Sequence, residues 1–346
     1  MTIKTFAAVA AVFGAVASYG ADLGRYMLPD ADVVAACTSD CVKKGAYTRE
    51  LEKAVNAEFG AKQEEMLAEL AEAMGPDGKK GVQRLMDYIG LLTNGVKRVE
   101  YAVSVKANPK RKDCPVAVSL AAEGIVNAEK ILKKLAADFP EACRLDGGAL
   151  VPAEGLGADG MAKAWVESGI LRVIVGNAPE RPAAVSPFPP DSLFGKLLKG
   201  IKGTNCGGVR VKNVNGIIRR FESPESVERM AQDPTVGDLV KLGDVGFDAS
   251  ESATAPLLDM SAFMKFDTAE TAGNVAEKLI GLKQMALAAI QEGAADVGPE
   301  EAELVPFVEK IVKSIKIASA GNEVQVKLQL DARDHVALIK KAAKLK

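Results

Sequence analysis

Between Gly155 and Gly160 the chain reads "GLGADG", a G-x-G-x-x-G spacing of the kind that cradles a pyrophosphate, and it runs into "MAKAWVESG", which reads as a helix. Dinucleotide chemistry asks for more than the glycines: a strand before them, and an acidic residue at the end of the next strand to hold a ribose. The preceding "GGALVPAE" is broken by Pro152, and the next strand, "ILRVIV", ends in Gly176 and Asn177. A loop followed by a helix start accounts for the motif, and no cofactor-binding residue is assigned. "GKLLKG", Gly195 to Gly200, likewise lacks the G-x-x-x-x-G-K-[ST] order of a phosphate loop.

Nucleophilic and metal chemistry are limited by one count. The chain has a single histidine, His335 in "DARDHVALI", so a multi-histidine metal site is out of reach. A Ser-His-Asp or Cys-His mechanism would have to use that residue. Cys206, in the glycine-flanked "GTNCGGV", is the thiol to weigh with it, but no signature surrounds either residue. They read as a helix-surface histidine and a strand-end cysteine. No D-x-D-x-D-G loop suggests an EF-hand calcium site, and carboxylates in "ESPESVE" and "EEAELVPFVE" suit helix N-termini and solvent faces. Catalytic, cofactor and metal residues are therefore all assigned as none, with no cofactor expected. Paired Asp or Glu side chains need only meet in space, which leaves an exported hydrolase as the enzymatic alternative.

The N-terminal "MTIKTFAAVAAVFGAVASYG" carries Lys4 and then an apolar or small run from Phe6 to Ala17. That is the layout of a secretory signal peptide, with residues 1–20 removed by cleavage between Ala17 and Ala21. The run is shorter than the roughly 20 residues a membrane span needs, and no comparable run follows. "VAAC", Val34 to Cys37, has the look of a lipidation box, but Asp30 and Asp32 stand where an apolar region would be, so it reads as a strand. The expected location is periplasmic or secreted. Five cysteines, Cys37, Cys41, Cys114, Cys143 and Cys206, leave at least one thiol unpaired in a monomer, and their pairing stays open. The 44 basic and 46 acidic side chains give a net charge of -2, which argues against a nucleic-acid partner. Aromatic residues make up 5% against 48% hydrophobic, so the core material is Ala, Val, Leu and Ile.

The elements that would position any site follow a repeated order. "APERPAAVSPFPPDS", Ala178 to Ser192, cannot continue a helix or a central strand, since proline lacks an amide donor. It is expected to link a first unit, 21–177, to a second, 193–346. In the first, "ADVVAAC" reads as a strand, "TRELEKAVNAEF" as a helix with Thr48 at its N-cap, and "KQEEMLAELAEAM" as another. "VKRVEYAVSVK" and "CPVAVSLAAEG" form a hairpin, "NAEKILKKLAADF" an amphipathic helix, and "GMAKAWVESG" a helix leading to the strand "ILRVIVG". In the second, "GGVRVKNV" is a strand and "SPESVERMAQ" a helix with Ser223 at its N-cap and Pro224 at its first position. The hairpin "DVGFDAS"/"PLLDMSAFMKF", the long helix "DTAETAGNVAEKLIGLKQMALAAIQEG", the helix "PEEAELVPFVEKIVKSI", the strands "IKIAS" and "EVQVKLQLD", and a basic-tailed helix complete it. The predicted class is α+β: two ferredoxin-like β-α-β-β-α-β repeats with extra helices and mainly antiparallel sheets.

"LPDADVV", the hairpin followed by an amphipathic helix, and "IKIASAGNEVQVKLQLDARDHVALIKKA" look like those of exported bacterial proteins of unknown function from the planctomycete and verrucomicrobial lineages. The resemblance implies a repeated α+β sheet fold and carries no catalytic residue. "SLFGKLLKGIKG" sets Leu193, Phe194, Leu197, Leu198 and Ile201 on a helical face opposite Lys196, Lys199 and Lys202. Packing on its own domain is the primary reading of that helix, and weak contact with a membrane surface the alternative. The expected function is a non-enzymatic, envelope-associated binding or interaction module, with an envelope or extracellular protein as partner.

Overall fold

The run "ILRVIV" is apolar on both alternating faces apart from Arg172, the pattern of a strand covered from two sides. In the computed structural model it is β7 (Ile170–Val175), and all six of its residues are buried. The structure describes residues 23–39, 45–58, 84, 87–88, 91, 100–110, 114–153, 162–200, 205–233, 237–293 and 305–344. The signal-peptide segment, "GLGADG", Cys41 and "KQEEMLAELAEAM" lie outside them. The chain forms two units, one of residues 1–40 with 67–210 and one of 41–66 with 211–346.

Among the described residues the first unit has eight strands. β1 (Val33–Thr38), β2 (Glu100–Ala107) and β3 (Val116–Glu123) form one antiparallel meander. β4 (Cys143–Asp146), β5 (Ala149–Pro152), β6 (Ala162–Glu167) and β7 form another. Pairing of β3 with β7 joins the two, and β8 (Asn205–Val211) lies beside β1. On one face, α2 (Ala128–Asp138) buries Ile131, Leu132 and Leu135 against Leu120, Leu171 and Val173. On the other, the 3-10 turn Leu23–Tyr26, residues 178–192 and α3 (Leu193–Gly200) bury Leu23, Phe188, Phe194 and Leu197 over Val34, Ala121 and Ile174. Covering on both sides is why β7 is apolar at every position but Arg172.

Among the described residues the second unit has four antiparallel strands in the order β11 (Lys316–Ala320), β12 (Glu323–Asp331), β10 (Leu257–Phe266), β9 (Leu242–Glu251). One face alternates Val245, Met264, Val324 and Val326 toward α6 (Ala269–Gly293), whose Ala272 and Ala276 are buried there. α7 (Val305–Ser314) packs beside α6. α1 (46–58), α4 (Val214–Phe221), α5 (Pro224–Gln232) and α8 (Ala332–Lys344) also belong to the unit. Ser223 caps α5 by accepting from the Ser226 amide, with Pro224 in the first turn, as its sequence predicts. The α+β class and the antiparallel sheets are as expected.

Three expectations are corrected. "MAKAWVESG" is predicted as a helix but forms β6, because Ser168 (φ 51°) and Gly169 (φ 80°) fold it back onto β7 with Glu167 opposite Ile170. Two left-handed central residues make the type I′ turn whose twist suits a hairpin. Thr48 does not cap α1, which begins two residues earlier; its amide and hydroxyl instead donate to Glu251. The division of the chain does not fall in 178–192: that stretch belongs to the first unit, with Ala178 and Phe188 in its core. Prolines cannot donate, but the carbonyls around them accept. Arg172 donates to the Pro179 and Glu180 oxygens, Arg25 donates to the Ala183 oxygen, and the Ala183 amide returns a bond to Arg25. No helix among the described residues is long and apolar enough to cross a membrane.

Candidate interaction surface

α6 runs for 25 residues and carries more apolar side chains than one face can hold. Ala272, Ala276 and Leu279 form the row that faces the second unit's core. A second row, Lys278, Leu282, Met285, Ala289 and Glu292, follows a 4-3-4-3 spacing, the seam of a helix that packs along another helix. At 3.6 residues per turn its apolar members stand about 110° around the helix from the core-facing row. Leu282 is 56% and Met285 61% exposed, and Ala286 and Ala289 beside them are also exposed. A helix apolar on two flanks is normally buried on both; here one flank faces solvent.

The neighbours of α6 fix that flank in place. Lys278 pairs with Asp238 at 2.5 Å, while Gln291 donates to Glu309 on α7. Lys283 donates to the carbonyls of Lys313 and Ile315 at 3.1 and 2.5 Å, closing the C-terminal end of α7 with a cation where the helix dipole is negative. Bonds to Lys313 and Gln291 hold the Glu309 carboxyl below the usual range. Polar contacts thus tie α6 down toward α7 and toward Asp238, and the Leu282–Met285 flank has none of them.

His335 sits at a junction inside the second unit. Its Nδ1 is 3.1 Å from the Tyr47 hydroxyl of α1 and 3.2 Å from the Asp331 carbonyl, and its ring meets Phe307 of α7 edge-on at 4.9 Å. A cleft of about 260 Å³ beside it is lined by Phe307, Lys310, Asp331 and Asp334. Both carboxylates are engaged: Asp331 with Arg333 at 2.5 Å, Asp334 with Lys310 at 2.7 Å. The Arg333 bonds hold the Asp331 carboxyl below the usual range, so it is ionised and unsuited to giving up a proton. Burial, with Glu251 nearby, pushes the Tyr47 hydroxyl up, so it stays a donor. The junction ties α1, α7 and α8 together.

A second cleft, of about 450 Å³ in the first unit, is lined by Trp165, Lys133, Lys163 and Arg181 with Glu129 and Glu180. Lys163 pairs with Glu180 at 3.0 Å, so the lining is mixed in sign. Behind it Arg172 is wholly buried, with the Tyr26 and Trp165 rings 4.4 and 5.2 Å from its guanidinium. Burial lowers its pKa, and its Nε has no hydrogen-bond partner. This arginine fastens residues 179–180 to the sheet.

The residues weighed in the sequence fall into place as follows. Cys206 stands on β8 of the first unit and His335 on α8 of the second, where its contacts are Tyr47, Phe307 and Asp331. Cys114 and Cys143 are buried, Cys37 and Cys206 half-buried, and none of these four is joined to another by a disulfide. α3 turns Phe194 and Leu197 into its own unit's core, and its Lys196 and Lys199 face solvent. Among the described residues no group of three or more His, Cys, Asp or Glu is placed to hold a metal ion. Sequence reasoning missed the outer row of α6, although its 4-3-4-3 spacing was there to read. It also missed Tyr47 and Glu251, whose partners lie some 200 or more residues away along the chain.

No family model matches the chain, and no curated protein matches it. Two solved structures do, crystal forms I and IV of TP0453, each 12% identical to it. Form I covers 95% of this chain and 99% of its own, with a TM-score of 0.35. Form IV covers 92% and 95%, with a TM-score of 0.37.

Proposed function

We propose that the protein is an exported, envelope-associated interaction module without catalytic activity, and that α6 presents its binding face. The observation that carries the reading is the row Leu282, Met285, Ala289, apolar, exposed and spaced to receive a helix. Support for export, to the periplasm or outside the cell, comes from the charged start and short apolar run of residues 1–20. The carboxylates lining the His335 cleft are each held by a cation, which favours a structural role over paired acid-base work.

Two measurements test the reading. Protein recovered from its native host should begin between Ala17 and Ala21 by mass spectrometry; an intact Met1 on protein outside the cytoplasm refutes export. In a pull-down from envelope extract, a Leu282→Gln, Met285→Glu bait should lose partners that the wild-type bait retains. Identical captures by the two baits refute α6 as the binding face.

A further inference from the structure

We infer that α6 docks against α6 of a second copy of this chain, antiparallel, about a twofold axis at Met285. This rests on the reading of α6 as the binding face and names its occupant.

The row is self-complementary. Reversing it about Met285 sets Lys278 opposite the partner's Glu292 and Glu292 opposite the partner's Lys278, so each end of the pair gains an opposite charge. Leu282 falls level with the partner's Ala288, one residue short of its Ala289, so a large side chain meets small ones, which is how facing helices interdigitate. Met285 meets its own copy on the axis, where an unbranched thioether adapts to an imperfect fit. A twofold axis requires that a surface patch complement itself, and this row does so in both size and charge. Lys278 keeps its pairing with Asp238 and has 52% of its side chain exposed to meet a second carboxylate.

The alternatives fit less well. A helix lying on an anionic membrane is rich in cations on its polar side, whereas the ends of this row carry one lysine and one glutamate. The row from Lys278 to Glu292 is about 22 Å long at 1.5 Å per residue, so the contact falls below the roughly 1,200 Å² of a standard interface. The dimer is therefore transient, with association in the micromolar range or weaker.

Sedimentation equilibrium on the full chain over a wide concentration range tests this. Wild type should dimerise with concentration, and Met285→Glu should lower the association constant by roughly tenfold or more. Glu292→Lys should also weaken it, and Lys278→Glu added to Glu292→Lys should restore it, a rescue that damage to the fold cannot give. Unchanged far-ultraviolet dichroism would show the variants folded. A wild-type monomer at every concentration, a dimer indifferent to Met285→Glu, or a double swap no better than the single one overturns the proposal. Flotation with vesicles of phosphatidylcholine and phosphatidylglycerol separates the layers of the argument. A monomer that floats, and stops floating as Met285→Glu, makes lipid the occupant: the second copy is then refuted while α6 stands as the binding face.

Discussion

Glu251→Ala removes the acceptor on which the start of α1 rests. The Glu251 side chain ends β9 with 6% exposure, and its carboxylate takes the Thr48 amide at 2.9 Å and the Thr48 hydroxyl. The Ala46 amide donates to the Ser252 carbonyl next door, so this corner supplies acceptors for two amides of the first turn of a helix some 200 residues earlier in the chain. A hydrogen bond to a charged acceptor contributes about 1.5–3 kcal/mol, and a carboxylate near a helix N-terminus adds about 0.3–1 kcal/mol through the dipole. Both bonds go to one residue and are not additive, so the expected loss is about 2–4 kcal/mol. For a unit of this size that lowers the melting temperature by roughly 5–15 °C. Glu251→Gln keeps one acceptor oxygen and should cost about half as much; Thr48→Val, which removes only the hydroxyl, about 1 kcal/mol. Urea unfolding at neutral pH, followed by circular dichroism, measures all three. A cost below about 0.5 kcal/mol for Glu251→Ala, the level of an ordinary surface change, would refute the capping argument.

Arg172→Met should leave stability within about 1 kcal/mol of wild type, because losing a buried, carboxylate-free guanidinium offsets the loss of two long carbonyl bonds and two aromatic contacts; Arg172→Lys keeps the buried charge without the planar fork and should cost about 2–3 kcal/mol by urea titration. Gly207→Ala should cost more than about 3 kcal/mol or abolish folding, since its φ is 136° and a Cβ there would lie 2.3 Å from the Ala36 carbonyl oxygen; the same titration checks it. Asp331 and Asp138 both have carboxyls held below the usual range, by Arg333 and by Lys134 respectively. Their stabilisation is present above the unfolded value of about 4 and is lost as pH falls through the lower folded value, so Arg333→Gln should flatten part of the decline in melting temperature below about pH 4. Burial pushes the Cys143 thiol up, and alkylation of the folded protein should leave Cys143 unmodified while the unfolded protein reacts there.

Local chemistry made much of the fold legible. Ser223 caps α5 and Pro224 opens it, as local preference dictates, and "VKRVEYAVSVK" alternates because β2 turns Tyr101 and Val103 to one packed face and the smaller Ala102 and Ser104 to the other. The misreadings arose where a distant partner overrode local preference. "MAKAWVE" has the composition of a helix, but β7 offered it a ladder and Ser168 with Gly169 a turn, so it became a strand. The proline-rich stretch looked like a linker because its missing donors were counted and its acceptors were not; Arg172 and Arg25 use those acceptors. Tyr47, Glu251 and His335 could not be grouped from the sequence, since only the packing of α1 within the second unit brings them together.

α3 and α6 show why amphipathicity alone did not find the candidate surface. α3 has one apolar row on eight residues, and its own unit covers that row with Phe188 and the N-terminal 3-10 turn. Its lysines are the solvent face of a helix already satisfied, so its strong polarity contrast marks a finished packing arrangement. α6 has a weaker contrast because apolar residues occupy two flanks, and that weakness is the informative property. A sheet can cover one flank of a surface helix and α7 a second, but the Leu282–Met285 flank lies away from both. Leaving such a row in water forgoes about 1.5–3 kcal/mol for each large side chain that a partner would bury. The row is therefore better explained by something that covers it than by the folding of its own unit.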